Sequence, residues 1–363
     1  MCLKPYLYPR DLELLGTIYR FRVMTAHQLV RLFYRDGKGG RYGYTRLVEL
    51  MDRGYLGSFR WFRRGPRGRY PYVVYYLTSR GVAAVEGDRP AHRNRPHPGR
   101  IRHCLDAGEV YVRLREKGRL QPPVEFLESR EARKRLGLKH GAHLGAVVGK
   151  EGAWHAVHIA PDSLAGQAGT YFARVARGAL GGMESHLVLA HSRRQVKVLV
   201  SMALKRGVAS PFRVLLFNDG VEVLAEILRG GPNAYDMQFA RWLAEQYEGM
   251  RLKRAPAGAS LPIVGSLNGS SFYVGEAVSG EVRRLAVLTG YPLEYRARIF
   301  GEPGAVCLSV RDGQHAQELG KLLAGYGRNL VLIVNATNEC YVPSAEGLNP
   351  CGLEVITGDQ QRS

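Results

Sequence analysis

The sequence is short of cysteine, lysine and acid, and it has no long apolar run. Its five cysteines, Cys2, Cys104, Cys307, Cys340 and Cys351, make no CxxC pair and no zinc spacing. Neither a disulfide framework nor a metal module is therefore expected. No apolar stretch approaches the ~20 residues that cross a bilayer, and no signal peptide is legible, so a cytoplasmic protein with reduced thiols and no membrane partner is expected. Only 10 of the 52 basic residues are lysine, leaving 42 arginines. Arginine suits bidentate contact with phosphate or guanine, although a GC-rich coding background would give the same bias. Glycine is plentiful, yet Gly178 to Gly182 and Gly265 to Gly269 lack the strand-GxxxxGK[ST]-helix grammar, which leaves no nucleotide site and no cofactor to expect.

The charge is unevenly spread. Residues 1–104 hold 21 Lys and Arg against 7 Asp and Glu, a net of +14, while the whole chain is +20, so the other 259 residues carry only +6. Basicity gathered on one module is the footprint of a polyanionic partner. A length of 363 residues with 45% hydrophobic content supports two or three domains with real cores.

That basic module has a readable local pattern. Leu12, Leu15, Ile18 and Tyr19 recur at helical spacing and define a first helix ending near Arg22. Thr25 and Gln28 form a T-x-x-Q capping box that starts a second helix at Ala26, with Met24 placed to staple onto Leu29. Asp36 to Gly40 is too rich in glycine to continue a helix and reads as a turn. A third helix follows from Arg41, with Leu47, Leu50 and Met51 inward and Gly54 as its left-handed cap. Tyr55–Phe62 and Tyr70–Leu77 are aromatic and β-branched and flank Arg63-Arg64-Gly65-Pro66-Arg67-Gly68-Arg69, a hairpin with a basic tip. Thr78 or Ser79 caps a short closing helix.

Three helices and a basic hairpin in this order read as a winged helix-turn-helix over residues 1–88. The expected partner is double-stranded DNA. Arg41, Tyr44, Thr45 and Arg46 lie near the start of helix three, the part of a recognition helix that meets base edges, and Lys38 lies in the turn before it. Arg60, Arg63, Arg64, Arg67 and Arg69 suit phosphates or a narrow groove.

Residues 89–102 read as a basic, proline-rich linker, and a helix resumes over Ile101–Glu116. An α/β domain then spans 103–253 and a further α/β unit 259–357. Strands are expected at 143–148, 154–159, 187–190 and 212–217, with a helix over 195–205 completing a β-α-β crossover. Asn218, Asp219 and Gly220 read as a turn. A second unit pairs a strand at 306–310 with another at 330–334 through a helix near 314–323. Arg254 to Gly258 marks the boundary between the halves.

The helix-turn-helix, the Gly54-Tyr55-Leu56 ending, the Tyr76-Leu77-Thr78-x-x-Gly81 close and the His103-Cys104-Leu105 helix together resemble the replication-relaxation family over residues 8–220. These are winged-helix proteins of plasmids and integrative elements. The resemblance implies a body like a restriction endonuclease, with Pro-Asp before one strand and a Glu-x-Lys-like pair on the next. This chain departs from it, with Gly141-Ala142-His143-Leu144 and Val157-His158-Ile159-Ala160 at those places. Carboxylates that would gather Mg²⁺ are missing there, so a degenerate scaffold for dimerisation and partner binding is expected.

Two histidine pairs, His140/His143 and His155/His158, straddle the turn of that first hairpin. Folding it about Lys150 and Glu151 sets His143 opposite His158, but residues three apart on a strand face opposite ways, which argues against a metal site. The leading expectation is a dimeric, sequence-specific DNA-binding protein acting in replication, transfer or transcription regulation of a mobile element. Two rivals stand beside it: a nicking or relaxing enzyme using Glu184, Asp219 and Glu222, and an adaptor that recruits replication or conjugation proteins through residues 260–357.

Overall fold

The computed structural model describes residues 7–35, 39–65, 68–87, 94, 96–138, 144–161, 183–192, 194–196, 198–199, 202, 212–230 and eight strands between 251 and 351. The chain is mixed α and β and divides into two compact units, Met1–Leu136 with Gly145–Val147, and Gly137–Leu144 with Val148–Ser363.

In unit one, helix α1 (Pro9–Phe21) opens with a proline at its first position, where the missing N–H costs nothing. The two-residue strand β1 (Met24–Thr25) leads into α2 (Ala26–Phe33). The expected capping box is present: Gln28 N–H donates to Thr25 Oγ1 at 3.2 Å, and Thr25 N–H donates to Gln28 Oε1 at 3.0 Å. Helix α3 (Gly39–Asp52) starts two residues before the expected Arg41 and is followed by Gly54, whose φ of +73° a side chain would strain.

Strands β2 (Leu56–Gly65) and β3 (Gly68–Leu77) pair antiparallel from Leu56↔Leu77 to Gly65↔Gly68, and β1 joins them in the order β1-β3-β2. Thr78 closes the hairpin's base. Its hydroxyl accepts from Gly81 N–H, capping α4 (Ser79–Glu86), and donates to the Gly54 carbonyl. Gly81 sits so tightly under Tyr55 that a Cβ would run into the Tyr55 carbonyl.

Helix α5 (Ile101–Glu116), strand β4 (Glu125–Glu128) and helix α6 (Ser129–Leu136) belong to the same unit. α5 is joined to α2 by polar bonds: Gln28 Nε2 donates to the Leu105 carbonyl at 2.8 Å and to Glu109 at 3.2 Å, while Arg31 pairs with both Glu109 and Glu116. At the other end, Arg130 donates to the Tyr19 and Arg20 carbonyls, covering the C-terminal acceptors of α1.

Strands β5 (Leu144–Lys150), β6 (Ala153–Ile159), β7 (Ser185–Ala190) and β8 (Phe212–Leu216) lie side by side in that order. The last three are parallel, in register from Ala156↔His186↔Phe212 to Ile159↔Leu189, and every described residue of β6 and β7 except Ala153 is buried. Such a doubly covered parallel sheet agrees with the expected strands. The turn expected at Asn218-Asp219-Gly220 is instead the start of helix α7 (Phe217–Gly230), with Val221, Leu224, Ala225 and Ile227 buried. A Cβ at Gly220 would press on the end of the Leu189 side chain of β7, so glycine lets α7 lie close to that strand.

Farther on, β9 (Arg251–Arg254), β10 (Ile263–Leu267), β11 (Ser270–Val274), β12 (Leu285–Thr289), β13 (Ala305–Val310), β14 (Leu330–Val334), β15 (Glu339–Pro343) and β16 (Leu348–Cys351) follow one another across a second sheet. Its centre, β11 to β14, is parallel and its two edges are antiparallel. β9 pairs with β10, so Arg254 already belongs to this sheet. The helix expected at 314–323 and most of the one at 195–205 lie outside the described residues.

Gly81→Ala should destabilise unit one by about 1–3 kcal/mol through overpacking against Tyr55. Gly16→Ala, in mid-α1 with open space around it, should instead stabilise by roughly 0.5–1 kcal/mol. Urea midpoints of the two variants test the pair.

Candidate nucleic-acid interface

Helix α3 divides sharply into two faces. Leu47 and Leu50 are fully buried, whereas Arg41, Tyr44, Thr45 and Val48, spaced to share one side, are exposed together with Tyr42. Tyr42 is anchored at its ring edge by Tyr34, with centroids 5.8 Å apart, and Arg10 lies 5.5 Å over the Tyr34 ring. Burial first, and Asp11 second, push the Tyr34 phenol up to about 12.

Arg46 departs from the expected contact set because it faces inward. Its side chain is 5% exposed and lies against Asp11, itself 2% exposed, with Nε to Oδ1 at 3.1 Å and Nη2 to Oδ2 at 2.5 Å. Glu49 adds a second carboxylate, and the Tyr8 ring lies 5.1 Å from the guanidinium carbon. Hydrogen bonding to Asp11, opposed by burial, raises the guanidinium further above its ordinary range. Asp11 also accepts the Tyr8 N–H at 2.9 Å at the start of α1. The pair therefore fixes α3 against α1, and its role is orientation.

On the hairpin, Arg60 is exposed on β2. Register sets Arg63 opposite Tyr70 and Arg64 opposite Arg69 towards the tip. Lys38 and Arg67 lie outside the described residues. Val48, Tyr42 and Phe62, which is 53% exposed, are surface residues that the sequence reading did not single out; Val48 could have been found from its i+4 spacing to Tyr44.

Several arginines of unit one are paired with acids. Arg20, Arg31, Arg113, Arg130 and Arg135 pair with glutamates of α5, β4 or α6. Arg41 and Arg60, by contrast, make no ion pair among the described residues. Unneutralised cations are thus left on the α3 and hairpin surface.

In unit two, His155 and His158 fall on opposite faces of β6, and each finds its partner on β7. His155 Nδ1 is 2.9 Å from Ser185 Oγ, and His158 Nε2 is 3.3 Å from His186 Nδ1 with the rings stacked at 5.5 Å. His143, expected opposite His158, lies outside the described residues. Burial lowers His155 and His186 to about 4, with Arg213 adding to the effect at His155. Among the described residues no group of three or more His, Cys, Asp or Glu is placed to hold a metal. Glu184 precedes the start of β7, 3.9 Å from His155, whereas Asp219 and Glu222 follow the end of the parallel strand β8 on α7. At ~3.3 Å per residue, opposite ends of these strands lie well beyond the few ångströms over which carboxylates share a metal.

Residues 15–172 match the family described as replication-relaxation, under half of the 363 residues. No curated protein and no solved structure matches the chain. No described helix is long and apolar enough to cross a membrane.

Arg46→Ala should leave Asp11 buried and unpaired, lowering the stability of unit one by about 3–5 kcal/mol, while Arg41→Ala should leave the urea midpoint unchanged. Unit two should respond to acid: His155 and His186 stay neutral when folded and charge at 6.5 when unfolded, so the unfolded chain binds more protons between pH 6.5 and about 4. Its stability should fall as pH drops through that window, read by urea titration of the fluorescence of buried Trp154, and the slope should shrink in His186→Asn.

Proposed function

We propose that this chain, whose residues 15–172 carry the replication-relaxation family's pattern, is a double-stranded DNA-binding protein that acts in replication or relaxation of a mobile element. The order α1-β1-α2-α3-β2-β3 reads as a winged helix, with α3 for the major groove and the hairpin for the flanking backbone. The observation that carries this reading is the set of exposed cations that α3 and the hairpin present. Arg41 on α3 and Arg60 on β2 are exposed and make no ion pair among the described residues, and they lie beside the basic hairpin tip, while Arg20, Arg31 and Arg113 pair with glutamates of α5 or α6.

Arg41, Thr45, Tyr44 and Val48 are then the base-reading set, and Arg60, Arg63, Arg64, Arg67 and Arg69, with Lys38, the phosphate set. Residues 1–88 act as the DNA-reading part and α5 as its brace; the sheets beyond organise assembly of a homodimer in the cytoplasm, in replication, transfer or transcription control. An enzymatic reading gains nothing from Glu184, Asp219 and Glu222, which stand at opposite ends of parallel strands.

The full-length protein should bind duplex DNA with affinity falling in salt at a log–log slope of about −0.9 per neutralised phosphate. Arg60→Ala should weaken specific and random duplexes alike and reduce that slope by about one. Arg41→Ala should mainly reduce discrimination, by about 1–3 kcal/mol at one base pair. Binding assays on both kinds of duplex across a salt series decide the matter; salt-independent binding, or equal losses on both duplexes from Arg41→Ala, would contradict the assigned roles.

A further inference from the structure

We propose that Phe62, with Pro71 and Val73, forms an apolar wedge on the hairpin that enters the minor groove and unstacks a base step, so that the protein bends the DNA it binds. This rests on the duplex-binding reading above.

The alternation of β2 creates the wedge. Phe59 and Trp61 turn inward and pack, with Tyr76 and Cys104, on a core of Val23, Val74, Ile101 and Leu105. Phe62, one residue past Trp61 and three past Phe59, is out of phase with both and therefore faces the other way. Register places it opposite Pro71, and Arg60 opposite Val73. The result is a contiguous strip, with Phe62 53% exposed, Val73 44% exposed and Pro71 open to solvent. Scattered exposed apolar residues need no explanation, but neighbouring ones across a strand pair do.

Charge names the occupant. Arg60 stands two residues before Phe62 on the same face of β2, and the Arg64↔Arg69 pair is two residues beyond it, about 7 Å along the strand in each direction. Pairing this face with its own copy would bring those cations together. A polyanion relieves them. Apolar residues such as Phe and Pro flanked by arginine are what an architectural contact uses to part base steps, because arginine holds the phosphates while the ring replaces a stacking partner.

The test uses the full chain and duplexes it selects from a randomised pool, carrying 2-aminopurine at successive steps and donor and acceptor dyes at the ends. Wild-type protein should raise 2-aminopurine fluorescence at one step and bend the duplex by roughly 20–90°. Phe62→Ala should abolish the fluorescence rise and straighten the duplex, with circular dichroism confirming the fold, while Phe62→Leu should keep both signals because leucine also serves as a wedge. A bound duplex with no fluorescence rise at any step, or a bend that survives Phe62→Ala, overturns the wedge and leaves duplex binding standing. A change of oligomeric state in Phe62→Ala with unchanged DNA geometry would make the strip a contact between copies instead. Failure to select any duplex removes both the wedge and the reading beneath it.

Discussion

A carboxylate and a guanidinium that leave water together must stay together, and the geometry of unit one depends on that constraint. Asp11 and Arg46 are both almost wholly buried. Neither could afford that position alone, since an unpaired ion in a poorly polarisable interior loses far more hydration than packing returns. α3 is therefore held to α1 at one point of its length and one rotation about its axis. Arg41, Tyr44, Thr45 and Val48 face solvent because Arg46, one residue past Thr45, cannot.

The same economy of charge shapes the other side of the unit. α5 carries Glu109 and Glu116, and Arg31 of α2 spans both. Arg20 and Arg130 bind the α1 end to β4 and α6 through Glu131, Glu128 and main-chain carbonyls. Glu109, Glu116, Glu125, Glu128 and Glu131 lie on α5, β4 and α6, and each pairs with an arginine. Arg41 on α3 and Arg60 on β2 have no such partner among the described residues, so their charge stays exposed at the surface.

How much could be read beforehand follows from the range of each interaction. The Thr25-x-x-Gln28 box, the Gly54 cap, the Thr78 cap and the hairpin are decided within a few residues, and each was legible. The partner of Arg46 lies 35 residues away, so its neighbours in sequence suggested a solvent-facing arginine. α7 was hidden because Asn-Asp-Gly has the composition of a turn. Here Asp219 sits in a first helical turn, where the helix dipole favours an acid, and Gly220 answers to Leu189 on another strand. The inward partners of His155 and His158 were likewise set by the parallel crossover, a pairing of distant segments that no local pattern encodes.

Gln28 shows how a distant partner can choose the letter of a local motif. A capping box accepts glutamate or glutamine at its last position, because either oxygen can receive the N–H of the first residue. In this chain the other half of the same side chain donates to the Leu105 carbonyl and lies beside the Glu109 carboxylate. Glutamate would present a second acceptor, negatively charged, to two acceptors in a half-closed space. The amide is thus required by α5, not by the helix it starts, and one side chain makes the beginning of α2 conditional on the brace being in place.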